Sequence, residues 1–321
     1  MEALQDRNTL ASREAGSLSR RFKIIAFDWD GTAVVNRYAA VADVGRAIEQ
    51  LLKFNVVMVI ITGTNFGHLD RQFCASIKGT HKANLYACTN RGSEVYGFTS
   101  QLQPSQPVLL YKRQATSNED SALTAVAEAV RDEIKQRSQL EVAIVYDRLN
   151  RRKIDLIPTA EWNDPPKAKI GELLTVTEAR LKGAGVVGGI REIFDLTRRL
   201  ANVYGLKDAR ITSDVKHIEV GLTDKADSVN WIMSELATRQ SIPARDILFV
   251  GDEFGPVAGF EGSDFKKVTP SARGAVYVSV GAEPNGVPTE VIHLGGGPPR
   301  FLELLEDQIL LHSQQAVGGH G

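Results

Sequence analysis

The sequence has few cysteines, no excess of charge of either sign and no long apolar run. Its only cysteines, Cys74 and Cys88, sit among apolar or small residues and show neither Cys-x-x-Cys nor cysteine–histidine ligand spacing. We therefore expect both thiols to be reduced, buried and structural. A formal net charge of -1, from 38 basic and 39 acidic residues, argues against a nucleic acid or an anionic membrane as a partner.

Spanning and targeting segments are absent as well. No apolar run approaches the ~18 residues of a transmembrane helix, and the polar stretch from Met1 to Arg21 lacks the apolar centre of a signal peptide. These absences predict a cytoplasmic protein and give no indication of its oligomeric state. Residues 1–20 and 312–321 show no stable periodicity and are predicted to be flexible, with His312 and His320 in solvent.

The sequence does contain enough apolar material, 43% of 321 residues, for a large α/β domain or for a core with a second, inserted domain. Short apolar runs alternate with segments of helical periodicity. The predicted strands are Phe22–Phe27, Val56–Ile61, Ile247–Val250 and Ala275–Val280, and the predicted helices are Ala39–Leu52, Ser228–Arg239 and Arg300–Leu311. This alternation predicts a Rossmann-like α/β core, in which a parallel sheet lies between helices and ligands bind beyond the carboxyl ends of the strands.

The pattern changes between about Ser93 and Thr223. The predicted strands here are Val108–Leu110, Val142–Tyr146, Ile154–Ile157 and His217–Val220, and the predicted helices are Ser121–Gln136 and Asp195–Tyr204, with a flexible loop at Lys182–Gly189. Their meander-like spacing predicts an antiparallel sheet with helices on one face. The predicted organisation is a core of residues 21–92 and 224–311 that carries an inserted α/β cap of residues 93–223.

Two carboxylates follow the first predicted strand. Asp28 and Asp30 are two residues apart, so on an extended backbone both side chains could face the same side while Trp29 packs in the core. One carboxylate of such a pair can bind metal and attack, and the other can move a proton. Gly31 and Thr32 suit a tight turn that brings backbone N–H groups close to an anion.

Other polar residues follow the later strands. Thr62 and Gly63 come directly after the second strand, where the threonine hydroxyl could bind a phosphate oxygen. Lys225 offers a fixed positive charge. Asp252 and Glu253 follow the strand Ile247–Val250 and offer the hard oxygen ligands that Mg²⁺ prefers. Each residue alone also has an ordinary interpretation, as turn, helix cap or surface charge.

The segment Phe27-Asp28-Trp29-Asp30-Gly31-Thr32, followed by Thr62, Lys225 and Gly251-Asp252, resembles the four motifs of the haloacid dehalogenase-like phosphatase superfamily. The position of the insert is similar to the large α/β cap of its sugar-phosphatase branch, which includes Cof-type, sucrose-phosphate and trehalose-phosphate phosphatases and phosphomannomutase. The resemblance implies that Asp28 attacks phosphorus and that Asp30 is the general acid and base. It also implies a Mg²⁺ cofactor held by Asp28, the Asp30 carbonyl and Asp252.

The chain departs from this pattern in two places. Thr64-Asn65 follow Thr62-Gly63 where many cap-bearing relatives have arginine. A long stretch separates Asp252 from Gly262-Ser263-Asp264, whereas relatives place an Asn-Asp pair a few residues after the first acid. Either Glu253 or Asp264 could therefore complete the metal shell.

The cap contains a basic segment, Arg148 to Pro158, that resembles the strand-forming cap segment of phosphomannomutase. Its cations, Arg148, Arg151, Arg152 and Lys153, either contact the substrate or form an exposed charged strand. The resemblance implies Mg²⁺-dependent hydrolysis of a small phosphomonoester, in the first place a sugar phosphate. The alternatives are a phosphosugar mutase like phosphomannomutase and a non-catalytic sugar-phosphate sensor on the same fold.

Overall fold

The structure, a computed structural model, describes residues 16–100, 105–163, 165 and 169–318. The chain divides into two compact units. The first comprises the chain up to Tyr111, Lys225–Gly255 and the chain from Asp264 onward, and the second comprises Lys112–Asp224 and Pro256–Ser263. The prediction of a Rossmann-like core and a separate antiparallel sheet is confirmed.

An eight-stranded sheet forms the centre of the first unit. With strands numbered along the whole chain, its members are β1 Ile24–Asp28, β2 Val57–Ile61, β3 Leu85–Thr89, β4 Glu94–Phe98, β5 Pro107–Lys112, β10 Ile247–Gly251, β11 Val276–Ser279 and β12 Val291–His293. They lie in the order β12-β11-β10-β1-β2-β3-β4-β5. Strands β12, β11, β10, β1, β2 and β3 run parallel to one another, and β4 runs antiparallel to β3.

Helices bury both faces of this sheet. One face carries α1 Ala42–Lys53, α2 Phe66–Gln72 and α7 Gly297–Gly318, and the other carries α6 Lys225–Trp231, which continues as a π-helical segment, Ile232–Ala237. In β1, Ile25 and Phe27 pack toward the first face and Ile24 and Ala26 toward the second. Burial on both sides explains why this strand is a continuous apolar run and not an alternating one.

The second unit contains a four-stranded antiparallel sheet. Its strands, β6 Ala143–Arg148, β7 Arg151–Asp155, β8 Arg210–Ser213 and β9 His217–Gly221, lie in the order β6-β7-β9-β8. The helices of this unit are α3 Ser117–Arg137, α4 Ile170–Gly183 and α5 Gly189–Val203. Short 3₁₀ turns occur in both units, at Cys74–Ser76, Thr80–Asn84, Ala160–Trp162, Ala244–Asp246, Phe265–Lys267 and Pro270–Ala272. Ile154, Ile218 and Val220 of the sheet belong to one apolar core with the helices.

The structure places the border between the units differently from the sequence prediction in two places. Strands β4 and β5 extend the large sheet, because β4 hydrogen-bonds to β3. The smaller unit therefore begins at Lys112 and not at Ser93. It also gains residues 256–263, whose Phe260 packs against Phe194 with ring centroids 4.8 Å apart.

Two segments expected to be flexible are hydrogen-bonded structure. Helix α7 extends through His312, whose ring nitrogen Nε2 lies 3.1 Å from the Phe22 carbonyl oxygen, so this histidine is not simply solvated. Residues 182–189 comprise the end of α4, a short turn and the first residue of α5, and the Val186 amide donates to the Leu181 carbonyl at 2.9 Å. Residues 1–15 of the predicted flexible segment 1–20 lie outside the described residues, as do His320 and the end of the predicted tail.

Cys74 and Cys88 are buried free thiols, as predicted. Burial raises the pKa of Cys88 to about 12. Among the helices of the described residues, none combines the length and the apolar composition needed to cross a bilayer.

One buried amide side chain fastens the last helix to the start of the sheet. Gln308 of α7 is fully buried; its Oε1 accepts the Phe22 N–H at 3.0 Å, and its Nε2 donates to the Arg20 carbonyl at 2.9 Å. Gln308→Leu keeps the approximate size of the side chain but leaves both backbone groups unpaired. We expect it to lower the free energy of unfolding by about 1–3 kcal/mol.

Urea denaturation followed by far-UV circular dichroism measures this change. Glu306→Ala is the matched control, because Glu306 lies exposed on the same helix and its replacement should change the unfolding free energy by about 0.5 kcal/mol or less. Equal effects of the two substitutions would contradict the role assigned to Gln308.

Candidate active site

The candidate site lies where the sheet reverses its strand order. The chain passes outward from β1 through β2 and β3 on one side, and through β10, β11 and β12 on the other. Asp28 ends β1 and Asp252 follows β10, its neighbouring parallel strand. In open α/β sheets such a reversal leaves a crevice beyond the carboxyl ends of the strands, where ligands bind.

Asp28 is held by a buried cation. Lys225, the first residue of α6, places its Nζ 2.9 Å from Asp28 Oδ1 and 2.7 Å from Asp264 Oδ1. The Asp28 and Lys225 side chains are only 8% and 6% exposed, so water screens their attraction weakly. Burial alone would lower the pKa of Lys225, but the Asp264 and Asp28 carboxylates outweigh it and raise the pKa above its ordinary value.

Asp264 is a fully buried carboxylate between two lysines. Its Oδ1 lies 2.7 Å from both Lys225 Nζ and Lys267 Nζ. Its Oδ2 accepts the backbone N–H groups of Asp252 and Glu253 at 2.9 and 3.0 Å. Burial alone would raise the pKa of Asp264, but the two ammonium groups hold it well below the ordinary range.

Lys267, like Asp264, is fully buried. Its Nζ donates to the Val250 carbonyl at 2.7 Å in addition to pairing with Asp264. Burial lowers the pKa of Lys267, and the attraction of Asp264 offsets this shift only in part. The lysine therefore joins the end of β10 to the carboxylate that holds the following loop.

Three carboxylates of the first unit fit a hard cation. Asp28, Asp252 and Asp264 each offer one oxygen, and these oxygens lie within 4.8 Å of one another. Oxygen donors at this spacing suit Mg²⁺. Both oxygens of Asp264 are already engaged by lysines and backbone amides, whereas Asp252 Oδ1 accepts a hydrogen bond from the neutral Thr32 hydroxyl at 3.0 Å. Asp28 and Asp252 are therefore the better placed ligands of the three.

The polar residues that follow β1 and β2 make longer hydrogen bonds than the one between Lys225 and Asp264. Asp30 is half-buried, and the Thr64 hydroxyl lies 3.5 Å from its Oδ2. The Thr62 hydroxyl oxygen accepts the Thr64 N–H at 3.1 Å. Gly31 has a φ of 90°, but its N–H donates to the Val34 carbonyl at 2.6 Å. The Gly31 amide is thus used within the turn, and the approach of backbone N–H groups of this turn to an anion stays a prediction.

Gly63 lies beside an arginine that the sequence places far away. A Cβ on Gly63 would stand 3.5 Å from the Arg91 side chain, and the Arg91 N–H donates to the Thr62 carbonyl at 3.1 Å. Arg91 follows β3 and has a φ of 53°, in the left-handed region. An arginine thus adjoins the Thr62-Gly63 turn, although Thr64-Asn65 directly follow it in the chain.

The four predicted cap cations are engaged within the second unit. Arg151 and Lys153 of β7 both pair with the buried Glu219, at 3.2 and 2.6 Å. Arg152 points the other way and pairs with Asp120 of α3 at 2.7 Å. Arg148 is 46% exposed, and its Nε lies 3.9 Å from Asp147. Arg152 therefore lies on the face of the sheet that packs against the helices, whereas Arg151 and Lys153 lie on the opposite face.

Sequence reasoning did not identify three residues of the arrangement. Beyond its place in the resemblance, Thr32 has only the pattern of a turn residue, and nothing in the sequence distinguishes Lys267 or Glu283, which hydrogen-bonds to the loop after β10. Lys267 lies three residues after Asp264 in a short 3₁₀ turn, but the pair Lys266-Lys267 gives no signal of which lysine turns inward.

Solved structures share this fold at low sequence identity. IMP-bound IMP-nucleotidase of Plasmodium falciparum matches with a TM-score of 0.54 and 12% identity, over 91% of this chain and 69% of that one. Its ATP-bound form matches with a TM-score of 0.58 and 11% identity, over 93% of this chain and 63% of the other. A protein of Eubacterium rectale, provisionally described as a phosphatase, matches with a TM-score of 0.52 and 14% identity, over 89% and 98%.

These likenesses establish the fold, which is that of the haloacid dehalogenase-like phosphatases. No protein-family model matches the sequence, and no curated protein matches it either.

The buried Lys225–Asp264–Lys267 set should make a large contribution to stability. Lys267→Met removes one cation and leaves the Val250 carbonyl and part of the Asp264 charge uncompensated. We expect a loss of about 3 kcal/mol at pH 7, measured by urea denaturation. Because the fold lowers the pKa of Asp264, its ionised carboxylate stabilises the folded state above about pH 3.9, the ordinary pKa of Asp. This contribution is lost as the pH falls further. The difference from the wild type should therefore shrink below about pH 4.

Lys266→Met is the matched control, because Lys266 is the neighbouring residue and is partly exposed. It should change the unfolding free energy by about 1 kcal/mol or less. A Lys267→Met protein as stable as this control at pH 7 would refute the assigned role.

Proposed function

We propose that this protein is a Mg²⁺-dependent phosphatase that hydrolyses a small phosphomonoester, in the first place a sugar phosphate, through an aspartyl-phosphate at Asp28. The observation that carries the proposal is the meeting of Asp28, Asp252 and Lys225 at the point where the strand order reverses. A nucleophilic carboxylate can approach a phosphate dianion only where cations offset their repulsion. The site supplies one such cation directly at the proposed nucleophile.

The proposed reaction has two steps. An Asp28 oxygen forms a bond to phosphorus as the bond from phosphorus to the ester oxygen breaks, and Asp30 gives its proton to the departing oxygen. Asp30, now ionised, then takes a proton from water, whose oxygen attacks phosphorus and displaces the Asp28 carboxylate. The products are an alcohol and inorganic phosphate. Thr62 and Lys225 would bind the phosphoryl oxygens during both steps. Gly63 has no side chain and would let these oxygens come close to the backbone.

A divalent cation fits the carboxylates at this edge of the sheet. Bound Mg²⁺ would supply positive charge to offset that of the phosphoryl group. Asp28, the Asp30 carbonyl and Asp252 would hold it. Asp264, unlike Glu253, belongs to the cluster of three carboxylates, but the engagement of both Asp264 oxygens favours a positioning role for Asp264 through Lys225 and the Asp252 amide.

The substrate class rests on the sugar-phosphatase resemblance and on the second unit. Its sheet presents Arg151 and Lys153 on the face away from α3, where they could meet an anionic or polyhydroxyl ligand once their pairing with Glu219 is relaxed. A nucleoside monophosphate is the second candidate, because the fold is shared with an IMP-nucleotidase. A mutase that returns the phosphoryl group to its substrate uses the same first step.

Asp28→Asn tests the nucleophile. The asparagine keeps the size of the side chain but is a poor nucleophile, so phosphate release from a panel of sugar phosphates and nucleoside monophosphates should fall by at least about 10³-fold. Asp43→Asn on the exposed face of α1 is the control and should retain full activity. The assay is phosphate release with and without Mg²⁺.

The panel also separates the alternatives. Isomerised product without free phosphate would indicate the mutase. Tight binding of a sugar phosphate by the wild type, with no turnover of any compound, would indicate the sensor. Near-wild-type turnover by Asp28→Asn would refute the aspartyl-phosphate.

Asp252→Asn tests the metal ligand. Asp252 is partly exposed, and an asparagine oxygen can still accept the hydrogen bond from the Thr32 hydroxyl. The variant should therefore fold with little loss of stability. We expect the melting temperature of the wild type to rise with Mg²⁺ concentration and that of the variant to stay constant, because only a ligand bound to the folded state stabilises it. An equal rise in both proteins would exclude Asp252 from the metal site.

A further inference from the structure

A second buried carboxylate holds the loop that follows β10. Glu283 comes shortly after β11 and is 9% exposed. Its Oε1 accepts the Phe254 N–H at 2.7 Å and the Ser279 hydroxyl at 2.8 Å, and its Oε2 accepts the Gly255 N–H at 2.6 Å. The sequence gives no hint of this role, since Glu283 lies 28 residues from the nearest of the amides that it binds.

Glu283 and Asp264 together bind four consecutive backbone amides. Asp264 Oδ2 accepts the N–H groups of residues 252 and 253, and Glu283 accepts those of residues 254 and 255. Every donor of this turn therefore points into the protein toward a buried negative charge. The backbone that carries the Asp252 side chain is fixed from both ends.

Close packing leaves this turn little freedom. A Cβ on Gly251 would collide with Asp264, a Cβ on Gly255 would collide with Glu283, and a Cβ on Gly281 would collide with the Asp252 carbonyl oxygen. Glu283 itself has a φ of 45°, a strained value for a non-glycine residue. Such strain persists only where the surroundings determine the conformation.

The chemistry of the donors requires a carboxylate. Burying a negative charge is unfavourable unless hydrogen bonds replace its water, and three donors do so here. An amide in the same place would turn its NH₂ group toward one of these donors, because glutamine has only one oxygen. The two-oxygen acceptor is therefore matched to the two amides of residues 254 and 255.

We propose that Glu283 is a positioning residue for metal binding, which acts by fixing the turn of residues 252–255 so that the Asp252 carboxylate faces Asp28. This inference rests on the proposed function, because it takes Asp252 as a Mg²⁺ ligand. Glu283 touches neither metal nor substrate. Its effect on the reaction passes through the backbone of the turn.

The test is titration of Mg²⁺ into the full chain without substrate, by isothermal calorimetry. Glu283→Gln should weaken Mg²⁺ binding by at least about 10-fold. Glu290→Gln is the matched control, since Glu290 is exposed and accepts a hydrogen bond from the adjacent Thr289 hydroxyl. This control should bind Mg²⁺ like the wild type. A purely structural role would lower the number of sites, as less protein is folded, and would leave the dissociation constant unchanged.

A milder variant covers the case in which Glu283→Gln does not fold. Ser279→Ala removes one of the three donors to Glu283 and should weaken Mg²⁺ binding about threefold in a folded protein. Unchanged Mg²⁺ affinity in folded Glu283→Gln, or in Ser279→Ala if the first variant is unfolded, would overturn the inference. Failure of the wild type to bind Mg²⁺ would instead overturn the proposed function, so the two failures are distinguishable.

Discussion

The arrangement of the site depends on one buried carboxylate, that of Asp264, held between Lys225 and Lys267. The buried charges of Asp28 and Asp264 are balanced by those of the two lysines. The Asp252 carboxylate adds one negative charge to this balanced set. An added carboxylate beside a neutral buried cluster favours a cation, and this charge balance is the physical reason to expect a metal there.

The long interval between Asp252 and Asp264 also has a structural explanation. The chain departs from the first unit after Gly255 and returns at Asp264. In between, Phe260 packs in the second unit against Phe194, with the Arg191 guanidinium 4.1 Å from its ring centroid. The stretch between these two acids is therefore a segment that belongs to the second unit, and Asp264 follows it and lies beside Lys225.

The fold and half of the site could be predicted from the sequence because their signals are local. A strand buried on both faces is a continuous apolar run, and the polar residue that ends it must lie at the carboxyl edge of a parallel sheet. Asp28, Thr62 and Asp252 follow predicted apolar strands in this way, and the resemblance to the phosphatase motifs indicates the same residues. The border of the cap was not, because β4 and β5 look like any other strands until their partners are known.

The sequence by itself determined the α/β class, the two-part organisation and the carboxylates that end β1 and follow β10, since each depends on periodicity within about ten residues. Tertiary structure alone decided that Asp264 is enclosed by lysines, that Glu283 binds the amides of residues 254 and 255, and that Arg91 adjoins Gly63. These contacts join residues from different strand ends. Their formation depends on three-dimensional packing and on which buried groups must be paired, and neither leaves a pattern in a single sequence.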